Sequence, residues 1–178
     1  VITLSSHLSG SYNSAVLAKK LYEEEQEELG QREGRKKIAV FDSESASAGE
    51  LNIALYIRSL CEAGLDFEEI VEKAAAHRDR MNTYFVLESL DTLRKNGRLS
   101  GLQAFFATAL NIKPVMGADK GVIIKLDQAR GINKALQRMC DIAAKEPGDT
   151  AKKCAVICHV NNPQRAEYVK AELEKRAS

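Results

Sequence analysis

What most constrains the fold is a repeated order: a short apolar run, a polar turn, then a helix with one apolar stripe. Val1-Ile2-Thr3-Leu4 is strand-like, and Ser5-Ser6-His7-Leu8-Ser9-Gly10 leads into a helix expected from about Ser11 to Leu29. Tyr12, Ala15, Ala18 and Tyr22 supply its stripe. After a polar loop, Lys37 to Phe41 reads as a second strand and Asp42-Ser43-Glu44-Ser45 as the turn behind it. Ser47 with Glu50 three residues on marks a capped helix to about Glu62. Asp66 with Glu69 starts another, to about Arg78. Strand–helix–strand–helix–helix order implies a parallel sheet flanked by helices.

The pattern changes near His77 to Met81, which places one domain at 1–78 and a second at 79–178. The second is expected to open with a strand, Tyr84 to Leu87, and a short helix, Ser89 to Lys95, closed by Asn96-Gly97. Ser100 with Gln103 caps a helix through Leu110. Ile112 to Met116 and Val122 to Leu126 form an antiparallel pair about a turn at 118–121. A helix from Asn133 to about Lys145, with Leu136, Met139 and Ile142 facing inward, ends at Pro147-Gly148. A strand from Cys154 to Val160 and a helix from Asn162-Pro163 complete the chain. The expected class is α/β, with a parallel sheet first and a mixed sheet second.

Composition excludes several functions. Among 178 residues, 26 basic and 25 acidic side chains leave a formal charge of +1, which argues against a nucleic-acid grip. The uncharged stretches 99–112 and 154–163 are too short to span a membrane, and no secretory signal opens the chain. The chain begins on an apolar run without an initiator Met and ends in a helix-like segment, so it reads as a piece of a longer protein. Cys154-x-x-x-Cys158-His159 tempts a metal reading, but positions four apart on a strand lie about 13 Å from each other. Zinc ligands converge at about 2.0–2.3 Å. Cys61, Cys140, Cys154 and Cys158 are therefore expected as buried free thiols of a reduced, cytoplasmic protein, with no metal site.

Three segments could carry chemistry. Ser5, Ser6, Ser9 and Ser11 crowd a strand-to-helix turn, where free N–H groups, the helix dipole and hydroxyl donors favour an anion. The bland alternative is that Ser9 or Ser11 merely caps the helix. A hydrolase would use Ser5 or Ser6 as nucleophile, His7 as base and Asp42 as orienter. Adjacent residues on an extended chain point opposite ways, and no Gly-x-Ser-x-Gly elbow is present, so His7 is expected as an exposed loop residue. The second segment is Leu90 to Ser100, where Arg94, Lys95 and Arg98 could meet a phosphate, an acidic partner or simply the helix dipole. Arg98 is expected to be the one held inward. The third, Leu102 to Leu110, is suited to a core or to the wall of an apolar pocket.

Taken in order, these motifs resemble the DegV family of bacterial fatty-acid-binding proteins. Ile2-Thr-Leu-Ser-Ser-His-Leu-Ser-Gly-Ser-Tyr-Asn-Ser-Ala15 is similar to its serine-rich signature. Val40-Phe-Asp-Ser43 with Ser47-Ala-Gly49 resembles its second strand and turn, and Leu90 to Ser100 its leucine-rich, glycine–arginine motif. Leu110-Asn-Ile-Lys-Pro-Val115, Gly121 and Ala129-Arg-Gly131 complete the set. His7, Ser11 and Asn96 depart from the family's usual glycine, threonine and glycine. An upstream threonine loop and a downstream glycine–histidine–glycine loop of the family have no counterpart here.

The resemblance implies a two-domain α/β protein of the EDD fold that holds one long-chain fatty acid between its domains. Ser5 and Ser6 would be the head-group donors, with Ser9 and Gly10 shaping the turn and Arg98 contributing. Leu102, Phe105, Phe106 and Leu110 would line the apolar pocket. The family presents its fatty acid to a kinase partner that phosphorylates the carboxylate, so this chain would be a carrier subunit, not a catalyst. It would need no cofactor beyond the lipid, no nucleic acid and no transmembrane segment. The alternative is a small-molecule hydrolase or phosphotransferase built on the same serine loop.

Overall fold

Short, locally capped helices and a pair of two-residue strands build the first part of the chain. A computed structural model describes residues 1–30, 34–98, 111–147 and 153–177. These fall into two units: Val1–Met81 with Lys120–Val122, and Asn82–Asp119 with Ile123–Ser178. Residues 120–122, grouped by the sequence with the domain at 79–178, thus cluster with the first unit.

In the first unit, β1 (Ile2–Thr3) pairs in parallel with β2 (Phe41–Asp42), Ile2 opposite Phe41 and Thr3 opposite Asp42. The expected strand from Lys37 is thus laddered only at its end, because β1 offers two residues to pair with. The crossover is α1 (Ser11–Glu28), whose Tyr12, Ala15 and Tyr22 are half-buried while Ala18 is exposed. Then come α2 (Ala48–Glu62) and α3 (Phe67–Arg78). Both begin where their caps predict. The Ser47 N–H donates to Glu50 Oε1 at 2.9 Å, and the Glu69 N–H donates to Asp66 Oδ1 at 2.8 Å, so backbone donors at each helix start find acceptors. Phe41, Ile53 and Ala74 are the buried apolar residues here.

The second unit contains β3 (Tyr84–Phe85), α4 (Asp91–Lys95), β4 (Ile112–Asp119), β5 (Val122–Arg130), α5 (Ile132–Ala143) and α6 (Pro163–Glu174). Its sheet runs in the order β3-β4-β5, with Tyr84 opposite Gly117 and Phe85 opposite Met116 in an antiparallel pair. Val115 and Met116 are fully buried, and Leu136, Cys140 and Val169 form a core cluster between α5 and α6. Arg176 Nε donates to Asp141 Oδ1 at 2.9 Å and pins the end of α6 to α5. The side chain of Asn162 accepts the Arg165 N–H at 3.2 Å, which fixes the start of α6 at the Asn-Pro expected. No described helix is long and apolar enough to cross a membrane.

Three expectations change. Among the described residues the second sheet is antiparallel rather than mixed, because Cys154 to Val160 joins no ladder. A branched apolar run has strand propensity, but a strand exists only where a partner supplies hydrogen bonds. Ile157 of this run packs partly against the α5–α6 core, whereas Cys154 and Cys158 are exposed. Of the free cysteines only Cys140 is buried, and that burial pushes its thiol upward; Cys61 is exposed as well. The expected helix from Ser100 to Leu110 lies outside the described residues.

Candidate functional site

Three buried serines join the turn after β1 to the turn after β2. Ser5, Ser43 and Ser45 are 0, 0 and 3% exposed, a costly placement for hydroxyls unless each is bonded. Each is. Ser43 Oγ donates to the Ser45 carbonyl and accepts the Ser45 N–H, both at 3.1 Å. The Ser5 N–H donates to the Ser45 carbonyl at 2.9 Å, which ties the turn after β1 to the turn after β2. The Ser5 carbonyl accepts the N–H groups of Leu8 and Ser9 at 2.9 and 3.0 Å. Ser5 Oγ accepts the His7 N–H at 3.2 Å and donates to the Gly121 carbonyl at 2.9 Å.

Ser5 and Ser6 therefore part company. Ser5 is enclosed and its hydroxyl is committed on both sides. Ser6 is exposed, and its hydroxyl is left to whatever approaches from outside. The Ser6 N–H is already spoken for: Asp42 receives it on Oδ1 and Oδ2 at 3.1 and 3.2 Å. The same Oδ1 accepts the Glu44 N–H at 3.0 Å, an Asx turn that shapes the loop behind β2. Arg78 NH1 donates to the Asp42 carbonyl at 3.4 Å.

The start of α1 stands beside these residues in sequence. Ser9 Oγ accepts the Ser11 N–H at 3.2 Å, and the Ser14 N–H donates to the Gly10 carbonyl at 3.0 Å. Gly10 occupies the N-cap and has no side chain to cap the helix, which leaves the N–H groups of Tyr12 and Asn13 without a side-chain cap. Ser11 Oγ is buried and has no hydrogen-bond partner among the described residues. Ser9 and Gly10 thus stand at the helix start, Ser9 through its hydroxyl and Gly10 as the N-cap.

The hydrolase arrangement does not assemble. Among the described residues, the exposed His7 makes no imidazole hydrogen bond to either serine hydroxyl or to Asp42, whose carboxylate is turned to backbone N–H groups. Arg98 also differs from expectation. It is exposed, and its guanidinium NH1 curls back onto the Asn96 carbonyl. The cause is the helix end: the Arg98 N–H donates to the Leu93 carbonyl at 2.9 Å and the Gly97 N–H to the Arg94 carbonyl at 3.0 Å, a Schellman closure of α4. Leu102, Phe105, Phe106 and Leu110 lie outside the described residues. Sequence reasoning passed over Asp42 as an amide acceptor and Gly121 as a hydroxyl acceptor. The first carries a local signal, an Asp directly behind a strand; the second is 116 residues from its partner and carries none.

Comparisons with known proteins give a consistent answer. The DegV family model matches residues 1–178. A DegV domain-containing protein of Streptococcus pyogenes serotype M1 is 36% identical over 176 residues, covering 98% of this chain and 59% of the relative. The crystal structure of a Ruminococcus gnavus DegV family protein with vaccenic acid superposes with a TM-score of 0.90 at 49% identity, covering 100% of this chain and 61% of that one. The Streptococcus pneumoniae Fatty Acid Kinase B3 protein loaded with linoleic acid gives 0.78 at 32% identity, over 98% and 59% of the two chains. The chain thus spans about three fifths of the length of its relatives. It is an α/β chain that belongs to the DegV family.

Proposed function

We propose that this chain carries a long-chain fatty acid by its carboxylate and acts as the binding, non-catalytic partner of a kinase that phosphorylates that carboxylate. The observation that carries the proposal is the exposed, uncommitted hydroxyl of Ser6, set on a turn whose neighbouring Ser5 hydroxyl and Ser6 and His7 N–H groups are occupied. Ser6 is the head-group donor in this reading, Ser5 is the post that holds it, and Ser9 and Gly10 set the helix start. The apolar residues Leu102, Phe105, Phe106 and Leu110 supply the wall for the acyl chain. Relatives bound to vaccenic and linoleic acids, one of them a fatty acid kinase B3 protein, support the ligand class and the partner.

The energetics suit a carrier. Burying about 15 methylenes at roughly 0.8 kcal/mol each offers about 12 kcal/mol gross. Association entropy and chain ordering offset much of it, so the head group decides whether binding is oriented. A carboxylate leaving water needs hydrogen-bond donors, and the Ser6 hydroxyl, four residues ahead of the N-cap Gly10, is the donor offered for it here.

Mass spectrometry of an organic extract of the purified protein tests the reading. A stoichiometric fatty acid is expected, and Ser6→Ala is expected to lower affinity for a free fatty acid about tenfold or more. A protein that carries no lipid and has no affinity for fatty acids would exclude the proposal.

A further inference from the structure

The hydroxyl assigned to the head group sits next to a residue whose own hydroxyl is tied to a carbonyl 116 residues further along the chain. Ser5 Oγ donates to the Gly121 carbonyl at 2.9 Å, in a place where Ser5 is fully buried. Gly121 is the second residue of the two-residue turn between β4 and β5, and it clusters with the first unit. Its neighbour Lys120 has φ +46° and Gly121 itself φ +82°, the pair of left-handed residues that defines a type I′ turn. Two things therefore require glycine at 121. Its φ suits a residue without Cβ, and a Cβ there would stand 2.4 Å from Ser5 Oγ and 3.1 Å from the Glu44 Cα.

We infer that Gly121 is a positioning residue for the head-group site, acting through Ser5 on Ser6. The inference rests on the fatty-acid reading above. Ser5 holds three things at once: through its backbone the link to Ser45 and the closure of the loop onto Leu8 and Ser9, and through its hydroxyl the His7 amide just beyond Ser6. The Gly121 carbonyl orients the Ser5 hydroxyl so that its lone pairs face the His7 N–H. Ser6 is the first residue of the turn that the Ser5 carbonyl closes, so an anchored, inward Ser5 holds the turn on which Ser6 stands exposed. Removing the Ser5 hydroxyl, or driving a methyl group into Ser5 Oγ, moves the one hydroxyl that the ligand uses.

The probes are oleic acid and its methyl ester. The ester shares the acyl chain but carries no charge, so it reports the apolar wall alone. Gly121→Ala and Ser5→Ala are each expected to weaken oleic acid about tenfold to a hundredfold while changing ester affinity less than about twofold. In a Ser6→Ala background, Gly121→Ala is expected to cost nothing further, because its route to the ligand has gone. Lys120→Gly, in the same turn but without a bond to Ser5, is expected to bind like the wild type. Ser5→Ala adds no bulk, and so decides the matter should Gly121→Ala fail to fold. Equal losses for acid and ester, or full additivity with Ser6→Ala, would overturn the inference. So would a strong Ser6→Ala effect with Ser5→Ala and Gly121→Ala both silent, and that result leaves the fatty-acid reading standing. A wild type that binds no oleic acid would remove both.

Discussion

The turn after β1 and the closure of α4 are both candidate anion contacts in the sequence, one dense in serines and the other in cations, yet they are different kinds of structure. At the first turn, Ser5 is buried and reaches Ser45 and Gly121, and Ser6 is held by Asp42. At the second, the closing bonds run from Gly97 to Arg94 and from Arg98 to Leu93, and the Arg98 guanidinium bonds the carbonyl two residues back. The first is tied to residues far away in sequence, and the bonds just named at the second stay within its own helix end. A density of polar side chains does not make a site. Long-range bonds that leave one group uncommitted do.

The comparison breaks most directly at Asp42. Its carboxylate accepts two backbone amides, those of Ser6 and Glu44. Asp42→Ala leaves both without an acceptor and is expected to destabilise the protein by about 2 kcal/mol. The same change frees the Ser6 backbone to move, so carboxylate affinity is expected to fall about tenfold. Asp42→Asn keeps the amide oxygen that can serve both N–H groups, and is expected to recover most of the loss. Urea unfolding and oleic acid titration of the two variants measure this. If Asp42→Ala binds like the wild type, the turn is no better built than the end of α4.

A smaller effect follows from the neighbour of Arg78. His77 stacks on Tyr56, with ring centroids 4.1 Å apart, and its Nε2 is 2.7 Å from Asn52 Oδ1. Burial first, and then the charge of Arg80, hold its imidazole below the usual value of 6.5. The folded state therefore binds this proton less readily than the unfolded chain does. Stability from the neutral ring is complete above about pH 6.5 and is lost as pH falls toward the depressed folded value. Thermal melts are expected to show a modest drop below pH 6.5 that His77→Gln flattens. A pH response unchanged by that substitution would assign the drop to other groups.

How much of this is legible from the chain follows the range of each interaction. The starts of α2, α3 and α6 fall at Ser47, Asp66 and Asn162 because a cap is a contact over three residues. The parallel β1–β2 pair follows from strand–helix–strand order. The run Cys154 to Val160 shows the limit: its composition fits a strand, but no ladder forms among the described residues. Ser5 and Ser6 show it again. The sequence offers both as head-group donors without choosing between them, and the Gly121 carbonyl, 116 residues on, is what draws the Ser5 hydroxyl inward.

The smallest expected effect belongs to Arg98, and it is the sharpest check on what separates the two regions. A cation in a glycine–arginine motif suggests an anion contact, and desolvated charge pairs of that kind are strong. Arg98 is instead exposed, and its guanidinium is engaged by the Asn96 carbonyl of its own helix end. What α4 uses of this residue is its backbone N–H, donated to Leu93, and every amino acid but proline supplies one. Arg98→Ala is therefore expected to change stability by less than about 0.5 kcal/mol and oleic acid affinity by less than about twofold. Arg98→Pro, which removes the N–H, is expected to unravel the closure at a cost of about 1 kcal/mol or more without touching affinity. Should Arg98→Ala cost tenfold in oleic acid binding, the closure of α4 would have to be counted with the serine turn as part of the head-group site.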